Sequence, residues 1–210
     1  MTRPNNQLRV VLFDLGGVLV ELTGIASLRS WTGKRMSTEE LWRMWLSSPA
    51  VRAFETGQSF PDVFAGQLIS ELGLPLGRQQ FLREFARWAK GLFPGALQLV
   101  RRIPPRYIRA TLSNTNPLHW PHFMDDMGLD RAFDRHFASH LTGKIKPDAD
   151  AFIHVIDAIG CEAREVVFLD DNLLNVEAAS GVGMRAVRVS GVQEAEQALL
   201  DAGIVMTPLA

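Results

Sequence analysis

Cysteine is almost absent from this chain: Cys161 is the single thiol in 210 residues. That excludes an intramolecular disulfide framework, and no second thiol or nearby histidine stands at metal-ligand spacing from it. Cys161 reads as a structural thiol in a reducing compartment. An excess of charge of one sign is also missing, because 22 Lys and Arg face 23 Asp and Glu for a net charge of −1. Such a balance supplies no field for holding a polyanion or coating an anionic membrane, so no nucleic acid and no membrane partner is expected. Long apolar runs are lacking too. The N-terminus from Met1 to Arg9 carries Pro, Asn and Gln, and the run after it breaks at Asp14, far short of a signal-peptide core or a membrane span. There is no internal repeat and no low-complexity tract. The expectation is a cytoplasmic protein, monomer or homodimer, built as one catalytic unit with at most a modest inserted subdomain: at 47% hydrophobic residues, 210 residues supply a sizeable core but not two large domains.

What is present is a series of short apolar runs that stop at polar residues. Val10-Val11-Leu12-Phe13 ends at Asp14 and Gly16-Gly17. Tyr107 to Leu112 stops at Ser113-Asn114, and Val166-Val167-Phe168-Leu169 stops at Asp170-Asp171-Asn172. Runs of this length, β-branched and closed by turn formers, read as strands buried on both faces. Helix-like stretches lie between them, from Ala149 to Ile159 and from Asn172 to Val182. Strands alternating with helices imply right-handed crossovers and a parallel sheet, so the fold class is α/β, a Rossmann-like doubly wound parallel sheet. Ligands of such sheets bind outside the carboxyl ends of the strands, where these polar residues fall.

The alternation fails from residue 22 to 91, which lacks strand-like runs and reads as several short amphipathic helices inserted as a cap. Residues 1–21 and 92–210 then form the catalytic core. Ser37 or Thr38 caps a helix with the apolar face Leu41, Trp42, Met44 and Trp45. Phe60, Phe64, Leu68 and Leu72 recur at four-residue steps before Gly73. The segment holds Trp31, Trp42, Trp45 and Trp88. These aromatics are expected to fill the core of a small bundle more than to line a pocket. Pro94-Gly95 marks the return to the sheet.

Four elements in order carry a resemblance: Phe13-Asp14-Leu15-Gly16-Gly17-Val18-Leu19, Leu112-Ser113-Asn114-Thr115-Asn116, Lys146-Pro147-Asp148, and Phe168-Leu169-Asp170-Asp171-Asn172. With them the chain resembles the haloacid dehalogenase-like (HAD) hydrolase superfamily, and within it bacterial phosphatases of the glucose-1-phosphate phosphatase type that carry an inserted helical cap. The resemblance implies an Mg²⁺-dependent phosphatase acting on a small phosphorylated metabolite, such as a sugar phosphate, through an aspartyl-phosphate.

Roles follow residue by residue. The resemblance makes Asp14 the nucleophile and, with the Gly16 carbonyl and Asp171, a magnesium ligand. A hard cation that takes few carboxylates fits this set. Of the neighbours Asp170 and Asp171, which point apart on an extended chain, one faces the metal and the other orients its surroundings. Asn175 either supports the metal shell or faces solvent. Ser113 and Asn114, between a strand and a helix expected near Pro117, are placed to meet phosphate oxygens. Lys146 is chosen over Lys144 as the cation that offsets repulsion between Asp14 and an anionic substrate. The five histidines are expected to be ordinary polar residues.

One departure stands out. Gly16 occupies the position where most phosphatases of this superfamily carry a second aspartate as general acid and base. Without a donor elsewhere, aryl phosphates and anomeric sugar 1-phosphates should outperform alkyl phosphates. Two other classes stay open: metal-free dehalogenase chemistry, which the acidic pair Asp170-Asp171 disfavours, and a binding protein that has lost turnover, which Gly16 keeps in play.

Overall fold

The computed structural model describes residues 7–33 and 36–206. Expectations placed on residues 1–6 lie outside them. Five parallel strands form the central sheet in the order β5-β4-β1-β6-β7. These are β1 (Val10–Phe13), β4 (Ile108–Ser113), β5 (Arg135–Ala138), β6 (Val166–Asp170) and β7 (Arg185–Arg188). The remaining pair, β2 (Val20–Leu22) and β3 (Ala89–Leu92), makes a separate antiparallel ribbon.

All four residues of β1 are fully buried because the strand is central and covered on both faces. Val11 and Phe13 face a core built with α6 (Ala96–Arg102) and α10 (Gly191–Asp201). Val10 and Leu12 face the opposite core, with α8 (Ala149–Ile159) and α9 (Leu173–Gly181). The chain runs outward from β1 to β4 and β5, then crosses back to β6 and β7. That reversal opens a crevice at the carboxyl ends of β1, β4 and β6.

Between β2 and β3 stand α1 (Gly24–Thr32), α2 (Thr38–Ser47), α3 (Pro49–Glu55), α4 (Pro61–Leu72) and α5 (Arg78–Phe85). Ser37 caps α2 through a reciprocal capping box with Glu40. Gly73 ends α4 in the left-handed conformation. The bundle has its own apolar core, in which Phe54 and Phe64 stack with ring centroids 4.3 Å apart and Trp45, Phe81, Phe85 and Trp88 fill the rest.

Two expectations need correction. β3 lies inside the stretch read as free of strands; Ala-Lys-Gly-Leu has no alternating apolar pattern and pairs only because β2 runs beside it. Phe60 is 80% exposed, since it precedes Pro61 as the helix cap residue and turns away from the apolar face. A helical segment does open near Pro117, with the Trp120 amide donating to the Asn116 carbonyl at 3.0 Å, but it is mostly π-helical. The Asn116 carboxamide oxygen accepts the amides of Leu118 and His119, closing a turn, and a π-helical segment follows at His122–Asp126. No helix among the described residues is long and apolar enough to cross a membrane.

Candidate active site

Asp14 follows β1, held in line by its amide, which donates to the Leu169 carbonyl at 2.8 Å. Asp170 ends β6 and Asp171 comes next, so the two adjoining strands deliver three carboxylates to one point. An oxygen from each of Asp14, Asp170 and Asp171 lies within 4.8 Å of the others. Gly17 makes this possible. Its φ is +73°, and a Cβ there would fall 2.2 Å from the Asp171 Oδ2.

Lys146 reaches the same point from the loop before α8 and is 2% exposed. Its Nζ donates to Asp14 Oδ1 at 2.8 Å and to Asp170 Oδ2 at 2.7 Å. Lys144 instead pairs with Asp150 at the surface. Asn114 fixes the lysine's backbone: its side-chain amide donates to the Lys146 carbonyl and accepts the Lys146 amide, both at 2.9 Å. The Asn114 side chain is therefore spent on positioning Lys146 rather than turned toward a ligand. Ser113 is buried at the end of β4 and lines the cavity.

Asp170 is fully buried and saturated, accepting from Lys146, from the Asn172 amide and, at both carboxylate oxygens, from the Asn175 carboxamide nitrogen. Asn175 thus faces inward, in the first turn of α9, and its Oδ1 has no partner. The Asp171 carboxylate, by contrast, takes no hydrogen bond from another side chain among the described residues. Burial, then the charge of Asp170, pushes its carboxyl up to about 6. Burial also pushes Asp14 up to about 7, opposed by Lys146 and reinforced by Asp170 and Asp171. For Lys146 burial works against the charge, but Asp14 and Asp170 outweigh it and hold the ammonium above the ordinary lysine range.

This crowding bears on the metal. Three carboxylates and one ammonium leave an excess of negative charge, with Asp171 uncommitted and the Asn175 Oδ1 orphaned. A donor set of carboxylate and carbonyl oxygens suits a hard divalent cation such as Mg²⁺, and its charge would relieve the repulsion that raises Asp14 and Asp171. The residues fit such an ion.

Above the carboxylates lies a cavity of about 480 Å³. Its floor is Asp14, Gly16, Ser113, Asn114, Lys146 and Asp171, and its roof comes from the helical bundle: Trp42, Trp45, Leu46, Phe85 and Trp88 together with the polar Thr38, Glu39, Arg43 and Glu55, with Leu22, Leu174 and Arg188 at the sides. The tryptophans therefore serve both as bundle core and as cavity wall. His119 also borders the cavity, but its Nε2 lies 2.7 Å from the Phe85 carbonyl and its Nδ1 meets Asn116, as expected of a satisfied polar residue.

Arg43, Glu55 and Arg188 line the cavity and escaped the sequence reading. Glu55, the last residue of α3, is 6% exposed and shares the cavity with Asp14 and Lys146. Nothing in Phe54-Glu55-Thr56-Gly57 distinguishes it from an exposed acid at a helix end. Only the packing of α3 on the core buries it.

A model of haloacid dehalogenase-like hydrolases matches residues 8–183. The chain belongs to that family. Sesquiterpene phosphatase astK of Aspergillus oryzae is 31% identical over 179 residues, spanning 84% of this chain and 87% of that protein. The (S)-2-haloacid dehalogenase of Xanthobacter autotrophicus is 26% identical over 197 residues, spanning 89% of this chain and 77% of that one. Among solved structures, a HAD family enzyme from Bacteroides thetaiotaomicron in complex with magnesium and inorganic phosphate superposes with a TM-score of 0.68. It is 22% identical, covers 86% of this chain and 93% of its own, and shows the shared fold. The protein is a HAD-type hydrolase with phosphatases among its relatives.

Proposed function

We propose that this protein is an Mg²⁺-dependent phosphatase that hydrolyses a monoester whose organic part is largely apolar. The observation that carries the reading is the juxtaposition of a carboxylate–lysine cluster with a cavity roofed by tryptophan and phenylalanine. Asp14 is the nucleophile: its carboxylate attacks phosphorus and forms an aspartyl-phosphate, which water then opens. Lys146 stays protonated throughout, keeps Asp14 oriented and offsets the charge of the arriving phosphate. The Ser113 hydroxyl and the backbone at Asn114 take phosphate oxygens. Asp14, the Gly16 carbonyl and Asp171 would hold Mg²⁺, with Asp170 and Asn175 as their buttress; the bound ion supplies positive charge against the transferring phosphoryl group.

The roof offers a polyol Thr38, Glu39, Arg43 and Glu55, but its tryptophan and phenylalanine faces would bury the apolar area of an isoprenoid or aryl group at roughly 25 cal/mol per Å². The sesquiterpene phosphatase among the relatives supports this over a sugar phosphate. We take residues 22–91 as the cap that selects the substrate and, from the balanced charge and the lone cysteine, place the enzyme in the cytoplasm as a monomer or homodimer. Dehalogenase chemistry would gain little from three clustered carboxylates. The test is phosphate release from farnesyl monophosphate, p-nitrophenyl phosphate and glucose 6-phosphate, with Mg²⁺ and with EDTA. The reading expects Mg²⁺-dependent turnover with the hydrophobic esters ahead; glucose 6-phosphate in front would refute the substrate class, and halide release from a 2-haloacid in EDTA would refute the phosphatase.

A further inference from the structure

Resting on the phosphatase reading, we propose that Glu55 is the general acid and base of this enzyme, supplied by α3 in place of the aspartate that Gly16 does not provide. Gly16 brings no side chain to the site, and a Cβ there would meet only the movable end of the exposed Leu22 side chain, 2.5 Å from its Cδ1. A proton donor must come from elsewhere in the cavity wall, and few groups there qualify. Asp14 and Asp171 belong to the carboxylate cluster. Glu39 stands exposed at the start of α2, where the helix's own amide and Ser37 hold its carboxyl below the usual range, so it is ionised and has no proton to give. Both ring nitrogens of His119 are committed. Glu55 remains.

Its placement is fixed rather than incidental. Arg52, one turn earlier on α3, pairs with Asp148, two residues beyond Lys146. Gly57, at φ +75°, packs so closely on α7 (Ser139–Thr142) that a Cβ would fall 2.4 Å from the His140 carbonyl oxygen. These contacts press the end of α3 onto the loop that carries Lys146. The groups that face the Glu55 carboxyl are Lys146 and Asp14 from the core and the Trp45 side chain from α2. Burial among these groups disfavours the charged carboxylate, against the hydrogen bond of Trp45 and the attraction of Lys146, and raises the carboxyl above its ordinary range.

The chemistry balances. As the Asp14 oxygen bonds to phosphorus, the bond from phosphorus to the ester oxygen breaks, and that oxygen takes the Glu55 proton and leaves as the alcohol. Glu55, now a carboxylate, removes a proton from water as its oxygen attacks the phosphorus of the aspartyl-phosphate. The Asp14–phosphorus bond breaks, inorganic phosphate departs, and Glu55 is again protonated.

The test compares two esters of similar size, p-nitrophenyl phosphate and 4-nitrobenzyl phosphate, in the full-length protein with Mg²⁺. A phenolate leaves unaided; a benzyl alkoxide needs the proton. Glu55→Gln is expected to lose about 10²–10⁴-fold in kcat/KM on the benzyl ester and far less on the phenyl ester. Equal losses on both, or none on the benzyl ester, would overturn the proposal. Should Glu55→Gln not fold, the wild type decides: Glu55 as acid predicts a shallow dependence of kcat/KM on leaving-group pKa, and a steep one refutes it. Phosphate release that persists in Asp14→Asn, or a wild type that cleaves neither ester, would instead sink the phosphatase reading, and this proposal with it.

Discussion

Lys146→Met should cost the protein both activity and a measurable share of its stability. The lysine lies beneath the cavity, with Asp14 2.8 Å and Asp170 2.7 Å away. Methionine fills most of the same volume but leaves two buried carboxylates facing each other. Removing one partner of a buried ion pair costs about 3–5 kcal/mol. For a domain of this length each kcal/mol moves Tm by about 2–4 °C, so a fall of about 6–20 °C is expected. The loss has a sign in pH. A carboxyl whose folded pKa is raised costs stability above its unfolded pKa near 4, so the deficit should widen from that pH upward and shrink in acid, where the carboxyls are protonated. Urea unfolding followed by circular dichroism, in EDTA at several pH values, reads this directly. Adding Asp170→Asn to the variant should recover part of the loss, since it removes one unpaired charge. A variant as stable as wild type at neutral pH, or a deficit independent of pH, would show that the cluster is not a buried set of charges held by Lys146.

Three further outcomes are expected. Asp171→Ala should raise the Mg²⁺ concentration needed for half-maximal turnover while leaving unfolding in EDTA no weaker than wild type, measured by metal titration and urea melts. Gly17→Ala should do the same to the metal requirement by pushing Asp171 aside, and also destabilise the fold by roughly 1 kcal/mol or more, because its φ of +73° strains any side chain. Trp88→Ala, which opens the cavity roof, should lower kcat/KM for farnesyl monophosphate more than for p-nitrophenyl phosphate; an equal effect on both would mean that the roof does not read the organic group.

The parts of this account readable in the sequence were those written locally. Val10 to Phe13 and Val166 to Leu169 announce central strands because both faces are buried and every position is apolar. Asp14, Ser113, Lys146, Asp170 and Asp171 could be found because each follows or ends such a run or stands in a short ordered motif. The edge strands β5 and β7 could not: Arg-His-Phe-Ala and Arg-Ala-Val-Arg carry charges at exposed ends and lack a clear apolar run. Spacing left Asn175 between solvent and interior, and only its bonds to Asp170 settle the direction. The second task of Asn114, carried by its side chain, was not legible, because the carboxamide matches the Lys146 backbone across 32 residues. Glu55 was invisible for the same reason, since its burial is a property of how α3 meets the core, not of its neighbours in the chain.

The most direct test of the central claim is to mix the protein with p-nitrophenyl phosphate and Mg²⁺, quench in acid and map the products by peptide mass spectrometry. The account predicts one added phosphoryl group on the peptide holding Asp14, absent in EDTA and absent in Asp14→Asn, with phosphate release lost in both. Turnover without that adduct, and undiminished in Asp14→Asn, would contradict it.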